Sequence, residues 1–254
     1  MSFPKVRDIT FNLLEEVGIN APPVRLEPVL EYFHASLVES DNIAESALLL
    51  DHGSWIIKVN PRLRPERRAF RIAHETGHIY WSDPGRHLGD PLLGGRLEKF
   101  CSKFASLLLC PHQWLVKDAP DADFDLFALK GIYSNISHEA LAMRLTFLTH
   151  MLVAIYDNGK LYRRWASPGL ASPLRGQELE SEAYKEVDLY GSFRETIRKI
   201  TWGGIERQVR LRGYPVFSGR FRRIILLMTP MGLEQADGDY PELEEDMPYP
   251  FPEY

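Results

Sequence analysis

Residues 74–78 read His-Glu-Thr-Gly-His, and this pentapeptide constrains the chain more than any other stretch of it. On an α-helix, residues i and i+4 share a face with β-carbons about 5–6 Å apart. His74 and His78 can therefore present two imidazoles to a single ion. The surroundings predict such a helix from Glu66 to Tyr80, just after Pro61 and Pro65. Phe70, Ile72, Ala73, Ile79, Tyr80 and Trp81 make it largely apolar. Histidines on such a helix are half-buried and need partners. Gly77 is a poor helix former, about 0.8–1 kcal/mol worse than alanine. Its presence implies that something, a substrate or a neighbouring backbone, comes close at that point.

A third ligand is available after the next loop. Glu98 opens a helix predicted over Leu97–Leu109, which Pro111 stops. Two histidines, one carboxylate and an open fourth position make up a hydrolytic zinc site. Glu75, one step round from His74, lies beside the ion rather than on it. There it can serve as general base towards a water whose pKa zinc lowers to roughly 7. Rival ligands are His87, next to Arg86, and Asp90, but their Gly- and Pro-rich loop, 82–95, would hold a ligand poorly. A peptide-cleaving zinc site also needs a donor for the oxyanion. Candidates are Tyr80, Tyr133, His138 and His150, with His138 preferred because it starts a helix beside the core.

Composition narrows the class. The 254 residues are 44% hydrophobic and 26% charged, which argues against wholesale disorder. A net charge of -5 makes no global case for nucleic-acid binding. Cys101 and Cys110 are the two cysteines, nine positions apart on one predicted helix. At about 100° per residue they sit on opposite faces, so two free thiols suited to a reducing cytosol are expected. No basic, then apolar, N-terminal segment is visible, and runs such as Ile224–Met228 are far short of the roughly 20 residues a span needs. A cytoplasmic protein with no membrane association is expected.

Along the chain, helices are predicted over residues 8–18, ended by Gly18, and from Leu26 to about His34. A hairpin follows, Ala47–Leu50 and Trp55–Val59 around Asp51-His52-Gly53-Ser54. Beyond Pro111 come short helices centred on residues 124–129 and 137–147. A strand, Met151–Tyr156, leads into the turn Asp157-Asn158-Gly159. Residues 166–176 read as a linker to strand-like runs at Val209–Leu211, Tyr214–Phe217 and Ile224–Met228. From Glu234 onward eight carboxylates and no Lys or Arg mark an acidic tail that reads as disordered. Residues 191–233 hold nine Lys/Arg and two acidic residues. That excess reads as a solvated sheet face, or else as a dock for an acidic partner or nucleic acid.

The sequence resembles the ImmA/IrrE family of metallopeptidases over roughly residues 10–156. The blocks that carry the resemblance are LLEEVGINAPPVRLEPVLEYF, VNPRLRPERRAFRIAHETGH, EKFCSKFASLLLCP and ISHEALAMRL, in the family's order. In the third block the position of the family's third zinc ligand is Glu98, while Cys101, Ser102 and Cys110 stand where Ala, Asn and Met are usual. Those are packing or supporting positions. The fourth block is similar to the second half of a helix-turn-helix, but His138, Glu139 and Arg144 are thin for reading bases, so direct DNA binding is not expected.

The resemblance implies an α+β fold. It would comprise a gluzincin-like zinc peptidase core (1–118), a helix-turn-helix-like helical region and strand (119–165) and a small C-terminal α/β sensor-like domain (166–233). That last domain resembles the GAF fold of IrrE-type proteins by position, and the acidic tail (234–254) follows it. It also implies a zinc peptidase, with manganese an alternative metal, in which His74, His78 and Glu98 hold the ion and Glu75 is the base. The implied substrate is a helix-turn-helix repressor, cleaved to trigger a stress or DNA-damage response or to release a mobile element. The competing reading is a non-proteolytic regulator that binds a repressor or DNA and carries structural zinc.

Overall fold

Gly18 takes a left-handed φ of 72° and ends α1 (Val6–Glu16), as its place in the sequence predicts. The computed structural model describes residues 6–82, 95–168, 170, 177–202 and 205–232. They divide into two compact units, one up to Ser137 and one from His138 on. The acidic tail, with His87 and Asp90, lies outside the described residues.

The first unit continues with α2 (Glu27–Tyr32), β1 (Ala35–Glu39), β2 (Ser46–Asp51) and β3 (Ser54–Val59). The predicted hairpin forms. Asp51 pairs with Ser54, and His52 and Gly53 have φ of 46° and 82°, the two positive values a tight primed turn needs. β1, which the sequence did not announce, lies parallel to β3 on its other side, so the sheet order is β1-β3-β2. The long helix is α3 (Pro65–Ser82), followed by α4 (Gly95–Leu109), α5 (His112–Asp121) and α6 (Leu126–Ile132). Pro111 ends α4 but also provides the extended N-cap of α5. The core gathers Leu13 and Leu14 from α1, Ile57 and Val59 from β3, and Phe104 and Leu108 from α4. Tyr80 packs on Phe33, Phe100 and Phe104, with centroids 5.6–6.4 Å apart, so its ring belongs to the core.

The second unit opens with α7 (His138–Leu145), then β4 (Leu152–Asp157), β5 (Lys160–Ala166), α8 (Gln177–Tyr190), β6 (Arg194–Trp202), β7 (Ile205–Ser218) and β8 (Phe221–Pro230). Its antiparallel sheet has the order β5-β4-β8-β7-β6. β4 and β5 thus share one sheet with residues 205–230, because β4 pairs with β8 from Leu152↔Met228 to Asp157↔Arg223. Asn158 and Gly159 form the turn between β4 and β5 with φ of 48° and 88°.

α8 covers one face of this sheet with Ala183 and Val187 against Val209, Leu211 and Leu226. Its carboxylate Glu180 is fully buried and accepts from Arg164 Nε at 2.9 Å. Gly213 on β7 lies against α8. A Cβ there would stand 2.4 Å from Val187 Cγ2 and 3.2 Å from Leu226 Cδ2, both in buried, stiff side chains. Gly213→Val is therefore expected to destabilise this unit by about 1–3 kcal/mol or more through overpacking, read as a lowered midpoint in thermal unfolding. An unchanged midpoint would mean that α8 does not pack as described.

Many of the arginines behind the basic excess are engaged within this unit. Arg212 donates to Glu195 at 2.6 Å, Arg222 to Asp188 at 2.9 Å, and Arg223 to Asp157 at 2.7 Å and Glu139 at 2.6 Å. α7 is buried almost throughout, Glu139 and Arg144 included.

Candidate metal centre

α3 reaches the site because its apolar face, Ile72, Ala73 and Ile79, is buried in the core of the first unit. His74 and His78 then share one side, with ring centroids 5.1 Å apart. α4 packs alongside at unusually short range, and Gly77 is the reason. A Cβ at Gly77 would lie 3.1 Å from Cys101 Cα and 3.3 Å from its Cβ. The close neighbour that the glycine implied is thus the backbone of α4 itself. Gly77→Val is expected to destabilise the fold by roughly 1–3 kcal/mol and to lower metal affinity, because it pushes apart the two helices that carry the ligands. Metal binding by titration calorimetry, together with thermal unfolding, checks this. A stable variant with unchanged affinity would refute it.

That close contact brings Glu98, in the first turn of α4, across to the histidines. Its Oε2 lies 3.1 Å from His74 Nε2 and its Oε1 3.4 Å from His78 Nε2. One ligand atom from each of His74, His78 and Glu98 falls within 4.8 Å of the others, the one such group of three among the described residues. Tetrahedral zinc with bonds of about 2.0–2.2 Å separates its ligand atoms by roughly 3.4 Å. The donor set and its spacing therefore fit a divalent zinc-type ion. His74 is buried, and its pKa is lowered to about 4, first by burial and then by the neighbouring His78. Its imidazole is consequently neutral near pH 7, the form that binds a metal. Ser102, one turn after Glu98 on α4, places Oγ 3.4 Å from His74 Nδ1. There it can accept the Nδ1 proton and keep the Nε2 lone pair on the ligand side.

Glu75 stands out of the ligand group, buried beside it. Its Oε1 accepts a hydrogen bond from the Ser46 hydroxyl at 2.6 Å. Sequence reasoning missed Ser46, which is 29 positions away on β2 and belongs to no motif. It also missed the pairing that places β2 against α3. Arg67 donates to both oxygens of Glu45, Nε at 2.9 Å and Nη2 at 2.8 Å, and Arg71 pairs with the same carboxylate. The run of arginines in the first turns of α3 was the available signal.

The oxyanion candidates fare differently. Tyr133 is fully buried and donates its hydroxyl to Asp118 at 2.6 Å, and Tyr80 is in the core. His138 is the first residue of α7 and of the second unit. Cys101 and Cys110 are both free thiols and buried, and burial pushes the Cys101 thiol well up.

The α3–α4 pair beside a mixed sheet, carrying His74, His78 and Glu98, is a metallopeptidase-type fold. The model of the IrrE N-terminal-like domain of peptidase family M78 matches residues 34–146. Among solved structures, a transcriptional regulator of Mycobacterium tuberculosis aligns over 89% of this chain and 75% of that one, with a TM-score of 0.60 and 17% identity, a likeness of fold. The sensor domain of the zinc-responsive histidine kinase CzcS from Pseudomonas aeruginosa aligns over 55% of this chain and 98% of that one at 12% identity, with a TM-score of 0.23 that bears no argument. No curated protein sequence matches the chain. No helix among the described residues is long and apolar enough to cross a membrane.

Proposed function

We propose that the chain is a zinc-dependent, site-specific regulatory protease that cleaves a helix-turn-helix transcriptional repressor in the cytoplasm and so relieves repression. The observation that carries this reading is the convergence of His74, His78 and Glu98, with Glu75 beside them and not among them. A regulatory role accords with the ImmA/IrrE family match and with the fold shared with a transcriptional regulator.

His74, His78 and Glu98 would hold the metal, zinc or manganese in its place. The bound ion would supply Lewis acidity, lowering the pKa of a water to roughly 7 and polarising the scissile carbonyl. Glu75 accepts the water's proton and later returns it to the leaving amine. Ser102 holds the His74 tautomer. Specificity for one loop of one repressor suits a switch, and the second unit, a sheet covered by a helix, is where a sensor-like signal would act. Incubation of the metal-loaded protein with repressors encoded nearby, followed by mass spectrometry of fragments, tests the reading. Intact repressors throughout would refute it.

A further inference from the structure

The segment leading into β2 is held, by Asn60 after β3 and by α3, with more ties than a sheet edge requires. Asn60 Nδ2 donates to Ile43 O at 2.8 Å, and Asn60 N donates to Glu45 O at 2.8 Å. Glu45 receives Arg67 and Arg71, and Ser46, the next residue, reaches Glu75. Arg67, Arg71 and Glu75 are spaced i, i+4 and i+8, so they form one stripe along α3. Glu45 and Ser46 run along that stripe, and their last contact is the carboxylate beside the metal ligands.

The consequence is a difference between the two oxygens of Glu75. Oε1 is bound at 2.6 Å by a hydroxyl, a short, charge-assisted hydrogen bond. Oε2 has no hydrogen bond among the described residues. Rotation about the terminal χ3 of a glutamate is soft and nearly two-fold. A free carboxylate would therefore sample many orientations, and a donor on one oxygen selects one of them. The clamp of Asn60, Arg67 and Arg71 keeps that donor in place.

We propose that Ser46 is a positioning residue for Glu75: its hydroxyl holds Oε1 so that Oε2 is presented as the proton acceptor. This rests on the protease reading above, and it assigns to β2 a part in the chemistry besides its place in the sheet. Ser46 touches no reacting atom and acts only through Glu75.

The test uses the full-length, metal-loaded chain. Ser46→Ala is expected to lower kcat by about 10- to 100-fold, the effect of losing one hydrogen bond to a charged group, with KM and metal content unchanged. Ser46→Thr, which keeps the hydroxyl, is expected to restore most of kcat. A second readout needs no substrate. Ser46→Ala should lower Tm by about 2–4 °C in the wild-type background and leave it unchanged in Glu75→Ala, since the two residues act as a pair. Wild-type kcat in Ser46→Ala, beside an inactive Glu75→Gln, would overturn the proposal and leave the protease reading standing. Equal Tm losses in both backgrounds would overturn it as well. A wild-type protein that cleaves nothing would end the protease reading, and the Tm cycle would still decide whether Ser46 holds Glu75.

Discussion

Glu75→Gln is expected to abolish repressor cleavage, a loss of about 10²- to 10⁴-fold in kcat, while the protein keeps its fold and its metal. The glutamine amide has nearly the shape of the carboxylate, and its carbonyl oxygen can still accept from Ser46, which bonds Glu75 Oε1 at 2.6 Å. What it lacks is an oxygen basic enough to take a proton from water. Metal content should not change, because Glu75 is outside the group that could hold the ion, His74, His78 and Glu98. The measurement is single-turnover cleavage of a repressor encoded nearby, paired with elemental analysis of the same sample. If Glu75→Gln retains metal and full repressor inactivation, the chain acts by binding and the protease reading fails.

Glu98→Ala carries the second large effect, in metal affinity. The carboxylate lies 3.1 Å from His74 Nε2 and 3.4 Å from His78 Nε2, and it alone brings negative charge to the ligand set. Residues that merely support a metal ligand cost about 10–100-fold in affinity when lost. Removal of a ligand should cost more than about 100-fold, so Glu98→Ala should purify metal-free and inactive. Glu98 is exposed and His74 buried, so the variant should stay folded, because no core contact is removed. Competition with a fluorescent zinc chelator gives the affinity. Wild-type zinc binding by Glu98→Ala would mean that another residue completes the site, and the loop residues His87 and Asp90 would then be the ones to test.

Glu98 and Ser46 differ in how far each could be read from sequence. Glu98 was found because a hydrolytic zinc site requires a third donor and because the block around it resembles a known family. Ser46 has neither recommendation. A single serine at the start of a strand becomes meaningful only when β2 is laid against α3, and the pairing of Glu45 with Arg67 and Arg71 does that. The same holds in the second unit. Leu179, Ala183 and Val187 follow one another at helical spacing along α8, a stripe that could have announced the helix. Its many acidic residues hid it. Glu180 reads as a surface carboxylate, yet it is buried on Arg164.

Local chemistry alone determined the elements with strong periodicity or obligatory turn residues. These are α1 with its glycine stop, the β2–β3 hairpin, α3 with both histidines on one face, α4 up to Pro111, and the Asn158-Gly159 turn. The requirement for a close neighbour at Gly77 was also legible, since a helix accepts glycine at a cost. Which neighbour it is, and how near, was a matter of tertiary packing: the α4 backbone at Cys101 carries Glu98 to the histidines. Long-range pairing likewise decided that β1 joins the first sheet and that β4 and β5 share a sheet with β8. The physical reason is common to all these cases. Helix periodicity and turn conformation depend on residues within a few positions of one another. Sheet partners, buried ion pairs and the donor on the Glu75 carboxylate depend on groups brought together from positions far apart in the chain.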